Sequence, residues 1–181
     1  MRGHPDSNRM TDEGITMKKT IAAAAVAATA LFGVVGTGLA DKRTITDAEG
    51  DVSGPPHLDF VSGTQGHMGK KAVVHTATVA GKADVKDFPT LEINTRGDRT
   101  SGPEYVVNVA DDGSAVVQNV ATGASRPALA YVGADELINT YKLVFRKGAI
   151  GNPERKYGWR FVIPGEDVMP NDGYAIHRLG K

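Results

Sequence analysis

The sequence predicts an all-β protein, an antiparallel two-sheet sandwich of jelly-roll type with about eight or nine strands. Three observations predict it. Strongly apolar side chains hold alternate positions at Tyr141, Leu143 and Phe145, and again at Tyr157, Trp159, Phe161 and Ile163. A period of two sends successive side chains to opposite faces, so each segment is a strand with one buried face. Short β-branched runs recur between Gly, Pro and Asp turn signals, spaced as sandwich strands are. No helical stripe appears, and only residues 134–139 could form a turn or two of helix.

The chain of 181 residues divides chemically before it divides structurally. Met17-Lys18-Lys19 is followed by an almost wholly apolar run to Val35, and then by the small residues Gly36 to Ala40. Basic, apolar, small is the layout of a secretory signal peptide, here residues 17–40, with Gly38 and Ala40 at the positions a signal peptidase reads and cleavage after Ala40. A membrane anchor would need a span of about 20 apolar residues, and this run ends in small residues rather than basic ones. Residues 1–16 precede a better start at Met17 and are read as a mis-assigned start or vector-derived sequence. The mature chain, 41–181, has the size of one domain. It is expected to be secreted and extracellular, with no membrane attachment after cleavage.

Formal net charge is zero, from 21 basic and 21 acidic side chains. Four basic and three acidic residues precede Asp41, so the mature chain stays near neutral. No field of one sign exists to gather nucleic acid or an anionic membrane, and neither is an expected partner. Cysteine is absent. That excludes a thiol nucleophile, a Cys-ligated zinc and a lipidated cysteine, and with the short Lys-Lys leader it suggests a soluble exported bacterial protein.

Along the mature chain the expected strands are residues 58–61, Ala72–Val79, 91–96, 105–110, 115–120, 129–132, the two aromatic segments and 174–179. His75 shares a face with Val73, Ala77 and Val79. Asp111-Asp112-Gly113 is a strong hairpin signal between 105–110 and 115–120. The two aromatic strands are read as a hairpin about the Gly-Asn-Pro turn at 151–153. The basic pairs Arg146-Lys147 and Arg155-Lys156 that flank it are read as protecting exposed strand ends from edge pairing.

The most specific local feature is an acidic loop, with Asp47, Glu49, Asp51 and Asp59 among Gly50, Gly54, Pro55 and Pro56. Calcium takes six to eight hard oxygens, often carboxylates and carbonyls on a sharply turned chain. Asp47, Asp51 and Asp59 are therefore candidate calcium ligands, with Asp167 and Asp172 as further candidates. The alternative is plain turn chemistry, in which Asp and Gly serve the backbone. The EF-hand spacing and its closing Glu are missing.

Four segments carry a resemblance. Asp47-x-x-Gly50-Asp51 before Leu58-Asp59-Phe60 is similar to the opening of secreted bacterial β-sandwich domains related to the DOMON-like proteins and the family 9 carbohydrate-binding modules. Residues 91–97 followed by 104–107, residues 148–153 followed by 157–160, and the Asp-rich loop 167–173 resemble further parts of that family in order. The resemblance implies a jelly-roll-like sandwich, permits carbohydrate binding and implies calcium as a structural ion. Sugar-binding members expose paired aromatic rings; here Trp159 has core parity, which leaves Tyr131 and Tyr174 as the candidate ligand-binding rings.

His57, His67, His75 and His177 lack the spacing of a zinc site. Some DOMON-type domains hold haem between Met and His, but His67-Met68 is read as an exposed turn. No Gly-x-Ser-x-Gly elbow occurs, and Arg96-Gly97-Asp98 is taken as a chance match to an integrin-binding tripeptide. The leading expectation is a non-catalytic binding module, calcium-stabilised, that recognises an extracellular glycan or protein surface; no enzyme and no organic cofactor are expected. Two alternatives stay open: a small hydrolase using carboxylates among Asp47, Asp51, Asp59, Asp167 and Asp172, and a structural or inhibitory envelope protein without a small ligand.

Overall fold

The computed structural model describes residues 40–110, 114–128, 132–135 and 139–179. Residues 1–39, which hold nearly all of the expected signal peptide, lie outside them. Twelve strands follow in order among the described residues: β1 (Ala40–Thr46), β2 (Phe60–Met68), β3 (Ala72–Val79), β4 (Thr90–Asn94), β5 (Tyr105–Val109), β6 (Ala115–Asn119), β7 (Ser125–Pro127), β8 (Val132–Asp135), β9 (Thr140–Arg146), β10 (Lys156–Ile163), β11 (Asp167–Met169) and β12 (Ala175–Arg178). One sheet has the order β1-β2-β3-β9-β8, and the other β11-β10-β4-β5-β6-β7. Strand β12 shares an edge of β10 with β11: the first half of β10 pairs with β12 and the second half with β11. Every pairing is antiparallel. The all-β class and the two antiparallel sheets agree with the sequence reading.

The interior lies between the sheets and is built from the alternation. Tyr141, Leu143 and Phe145 from β9, and Tyr157, Trp159 and Phe161 from β10, are fully buried with Phe60, Leu91, Ile93 and Met169. Loss of a buried ring of the Trp159 kind costs about 3–5 kcal/mol. One glycine makes room for it: a Cβ at Gly63 would sit 2.9 Å from the Trp159 ring and 2.6 Å from the Met169 methyl.

Several expectations change. The aromatic strands are not a hairpin. β9 pairs with β3 and β8 in one sheet, while β10 pairs with β4, β11 and β12 in the other. The link between them, with a 3-10 turn at Lys147–Ile150 and Gly151 at φ 78°, crosses from sheet to sheet. Each strand then faces the other across the core, which buries both aromatic rows. His67 and Met68 end strand β2 rather than forming a turn, because the Gly-rich stretch 60–68 is laddered on both sides by β1 and β3. Ala134 and Asp135 lie in strand β8, so the one stretch open to a turn or two of helix, 134–139, begins as strand; residues 136–138 lie outside the described ones.

Candidate metal centre

The acidic corner forms where the two sheets meet. At the end of β1 the Asp47 N–H still donates to the Val61 carbonyl (2.9 Å), which continues the β1–β2 ladder by one residue. The chain then loops out through Gly50, at φ 83°, where a side chain would be strained. It returns by a 3-10 turn at Pro56–Leu58, so that Asp59 arrives just before β2. Asp59 Oδ2 accepts the Gly50 N–H at 2.7 Å, closing the loop on itself. From the other sheet, Asp167 opens β11; its Oδ2 accepts the Phe60 N–H at 2.6 Å and its Oδ1 the Val168 N–H at 2.7 Å. Phe60 and Asp167 are 107 residues apart, and this bond ties the two sheets together.

Ligand atoms of Asp51, Asp59 and Asp167 lie within 4.8 Å of one another. Asp47 joins them through Asn171, whose amide donates to Asp47 Oδ1 (3.1 Å) and Asp51 Oδ2 (3.2 Å). Asp59 and Asp167 are 4% and 5% exposed. Two carboxylate oxygens, Asp47 Oδ2 and Asp59 Oδ1, are buried without a hydrogen-bond partner. Burial first, and then the charges of Asp167, Asp51 and Asp59, push the Asp47 carboxyl up to about 6. Burial, with Asp51 and Asp59, raises Asp167 as well. Like charges held this close favour protonation or a counter-ion. Three converging carboxylates, with a fourth beside them and two buried oxygens unused, are the kind of donors a hard divalent cation takes, and calcium accepts six to eight such oxygens.

No family model, curated protein or solved structure matches this chain. Function must therefore be read from the residues themselves.

The structure brings Asp51, Asp59 and Asp167 together; Asp47 stands beside them, linked through Asn171 rather than inside the 4.8 Å group. Asp172 is not part of the group: it is exposed and lines a separate cavity with Arg43 and Arg178. Asn171, which bridges two of the acids, was not singled out from the sequence, since a lone amide in an Asp-rich loop carries no spacing signal. Tyr174 corrects an expectation. It is 3% exposed, donates its hydroxyl to Glu92 Oε2 at 2.9 Å and lies under the Arg160 guanidinium at 4.8 Å, so its ring offers no stacking face to a sugar. Tyr131 lies outside the described residues. The tripeptide at 96–98 is turned inward on its own loop: Asp98 accepts the Ser101 N–H and hydroxyl, and Arg96 bonds Glu104.

The histidines form a second polar group that spacing did not reveal. Tyr157 Oη lies 2.8 Å from His75 Nε2 and 2.7 Å from His177 Nδ1, in the middle of the core. The His67 ring is 4.5 Å from that of His177. Beside them the Trp159 indole donates to Gln65 Oε1. Burial, with the neighbouring histidines, holds His75 well below its ordinary range and His177 at about 4, so both rings are neutral at pH 7.

Proposed function

We propose that this protein is a secreted, non-catalytic binding module whose acidic corner holds a structural calcium ion and fixes the end loops that meet an extracellular glycan or protein surface. The observation that carries it is the convergence of Asp51, Asp59 and Asp167, with Asp47 beside them and buried oxygens left unpartnered, at the junction of the two sheets. An ion there would offset the repulsion among these carboxylates and would tie the 47–59 loop to the start of β11. Calorimetric titration of chelator-stripped protein with calcium gives a saturable signal of about one ion per chain. A flat titration together with an unchanged melting temperature overturns the reading.

The hydrolase alternative draws on the raised Asp47 carboxyl, which is what a general acid requires. Its geometry is less apt. Glycosidase carboxylates stand about 5–5.5 Å or 6.5–9.5 Å apart across a substrate, whereas the Asp51, Asp59 and Asp167 oxygens crowd within 4.8 Å and two of these residues are buried. Crowded oxygens suit a cation better than a substrate. Export is tested separately, by N-terminal sequencing of protein from culture supernatant, with Asp41 expected as the first residue.

A further inference from the structure

We propose that the cleft between β1 and β12 binds a small multiply charged anion, a carboxylate or a phosphate. The cleft encloses about 420 Å³, and among the described residues that line it four, Arg43, Arg99, Lys156 and Arg178, are cationic against one acid, Asp172. Small-molecule sites run from about 300 to 1,000 Å³, so the space suits a compact ligand.

The excess is local. The whole chain is neutral, yet this one concavity collects four cations from β1, the loop after β4, β10 and β12. None of the four makes an ion pair or a side-chain hydrogen bond among the described residues, whereas Arg96 and Arg160 are each paired with a glutamate. Lys156 and Arg178 stand directly opposite each other on adjacent strands. Like charges in that position are destabilising, and the cost is offset when an anion sits between them. Guarding a sheet edge explains a single inward charge such as Arg43, but it does not explain why a loop arginine and two residues of the other sheet line the same hollow.

The floor fits the same ligand. Gln65, 2% exposed, lies across the ladder from Arg43 and lines the cleft. Its Nε2 carries two protons and makes one long bond, 3.4 Å, to the Ile176 carbonyl. Ile45 and Ile176 supply an aliphatic wall for a carbon skeleton. Arginine forks match carboxylate and phosphate oxygens two at a time, which fixes orientation as well as charge. Aromatic rings are missing from the lining among the described residues, so an uncharged sugar would find no stacking face there.

The test uses calcium-free protein, so that failure here is separate from failure at the acidic corner. Succinate and inorganic phosphate are titrated calorimetrically, with sodium chloride at matched ionic strength as the control. Saturable binding of at least one of the two is expected, and which one binds tells carboxylate from phosphate recognition. Arg43→Gln with Arg178→Gln weakens binding about tenfold or more, as loss of charged hydrogen bonds does. Asp172→Asn strengthens it by removing the one opposing charge. The three altered side chains are exposed, and unchanged far-ultraviolet dichroism and melting in ligand-free buffer confirm folded variants. Heat no greater than that from chloride, or equal affinity in wild type and the double variant, overturns the proposal.

Discussion

The protein draws polar groups inward at two places and treats them differently. In the core, His75, Tyr157 and His177 form a neutral relay: a hydroxyl is donor to one ring and acceptor from the other, and the two imidazoles avoid charge. At the acidic corner, four carboxylates share one region, and only backbone N–H groups and the Asn171 amide answer them. Buried polar groups are tolerated when their partners lie within the fold. The first cluster comes close to that condition, with one ring nitrogen on each histidine left over. The second leaves like charges facing one another, which is the state an external cation relieves. The difference is one of charge: the relay is neutral and has no repulsion for an ion to relieve, while the corner has.

Four measurements sharpen or break this contrast. The largest effect is expected from calcium itself. At a concentration of 100 times Kd, a ligand that binds only the folded chain adds about 2.7 kcal/mol of stability, read as a higher melting temperature that EGTA reverses. Next comes Tyr157→Phe, which strands both His75 Nε2 and His177 Nδ1. Urea unfolding should show a loss of about 2 kcal/mol, equal with and without calcium; a calcium-dependent loss would mean that the two clusters are not separate. Asp59→Asn removes one charge from the corner. Without calcium it is neutral or stabilising by about 1 kcal/mol, and with calcium it loses most of the added stability. A variant equally destabilised under both conditions would make Asp59 a loop-closing residue only.

The smallest effect is in the pH profile. Asp47 titrates near 6 in the fold and near 3.8 in the unfolded chain, so the folded state holds the extra proton and stability rises as pH falls across that interval. His177 titrates near 4 in the fold against 6.5 unfolded, so the unfolded state holds the extra proton and stability falls as pH drops from 6.5 towards 4. His75, which burial also holds well below its ordinary range, adds to the histidine loss, so without calcium the Asp47 trend only softens the decline in melting temperature between pH 6.5 and 4.5. With calcium keeping Asp47 ionised, only the histidine trend remains and the decline steepens. Identical slopes in both conditions would remove the corner from the cation account.

Much of this is legible in the sequence alone. Alternation at Tyr141–Phe145 and Tyr157–Ile163 marked the two richest core rows, and the parity of His75 placed it among Val73 and Ala77 on an inward face. Asp47, Asp51 and Asp59 stood out because carboxylates, glycines and prolines in one short stretch are a local signal. Pairing was not legible in the same way. β9 and β10 are neighbours in sequence and look like a hairpin, yet they lie in opposite sheets. Periodicity says which face is buried and nothing about which strand lies alongside.

What the sequence determined by itself was therefore one-dimensional: strand class, inward faces, turn positions and the supply of acidic oxygens. Tertiary structure decided which of those meet. It brought Asp167 beneath Phe60, set Tyr157 between two histidines from different strands, buried Tyr174 against Glu92, and gathered four cations into one cleft. The reason is physical. A side chain's inward or outward direction follows from dihedral angles a few residues long, whereas convergence across sheets depends on the packing of the whole core.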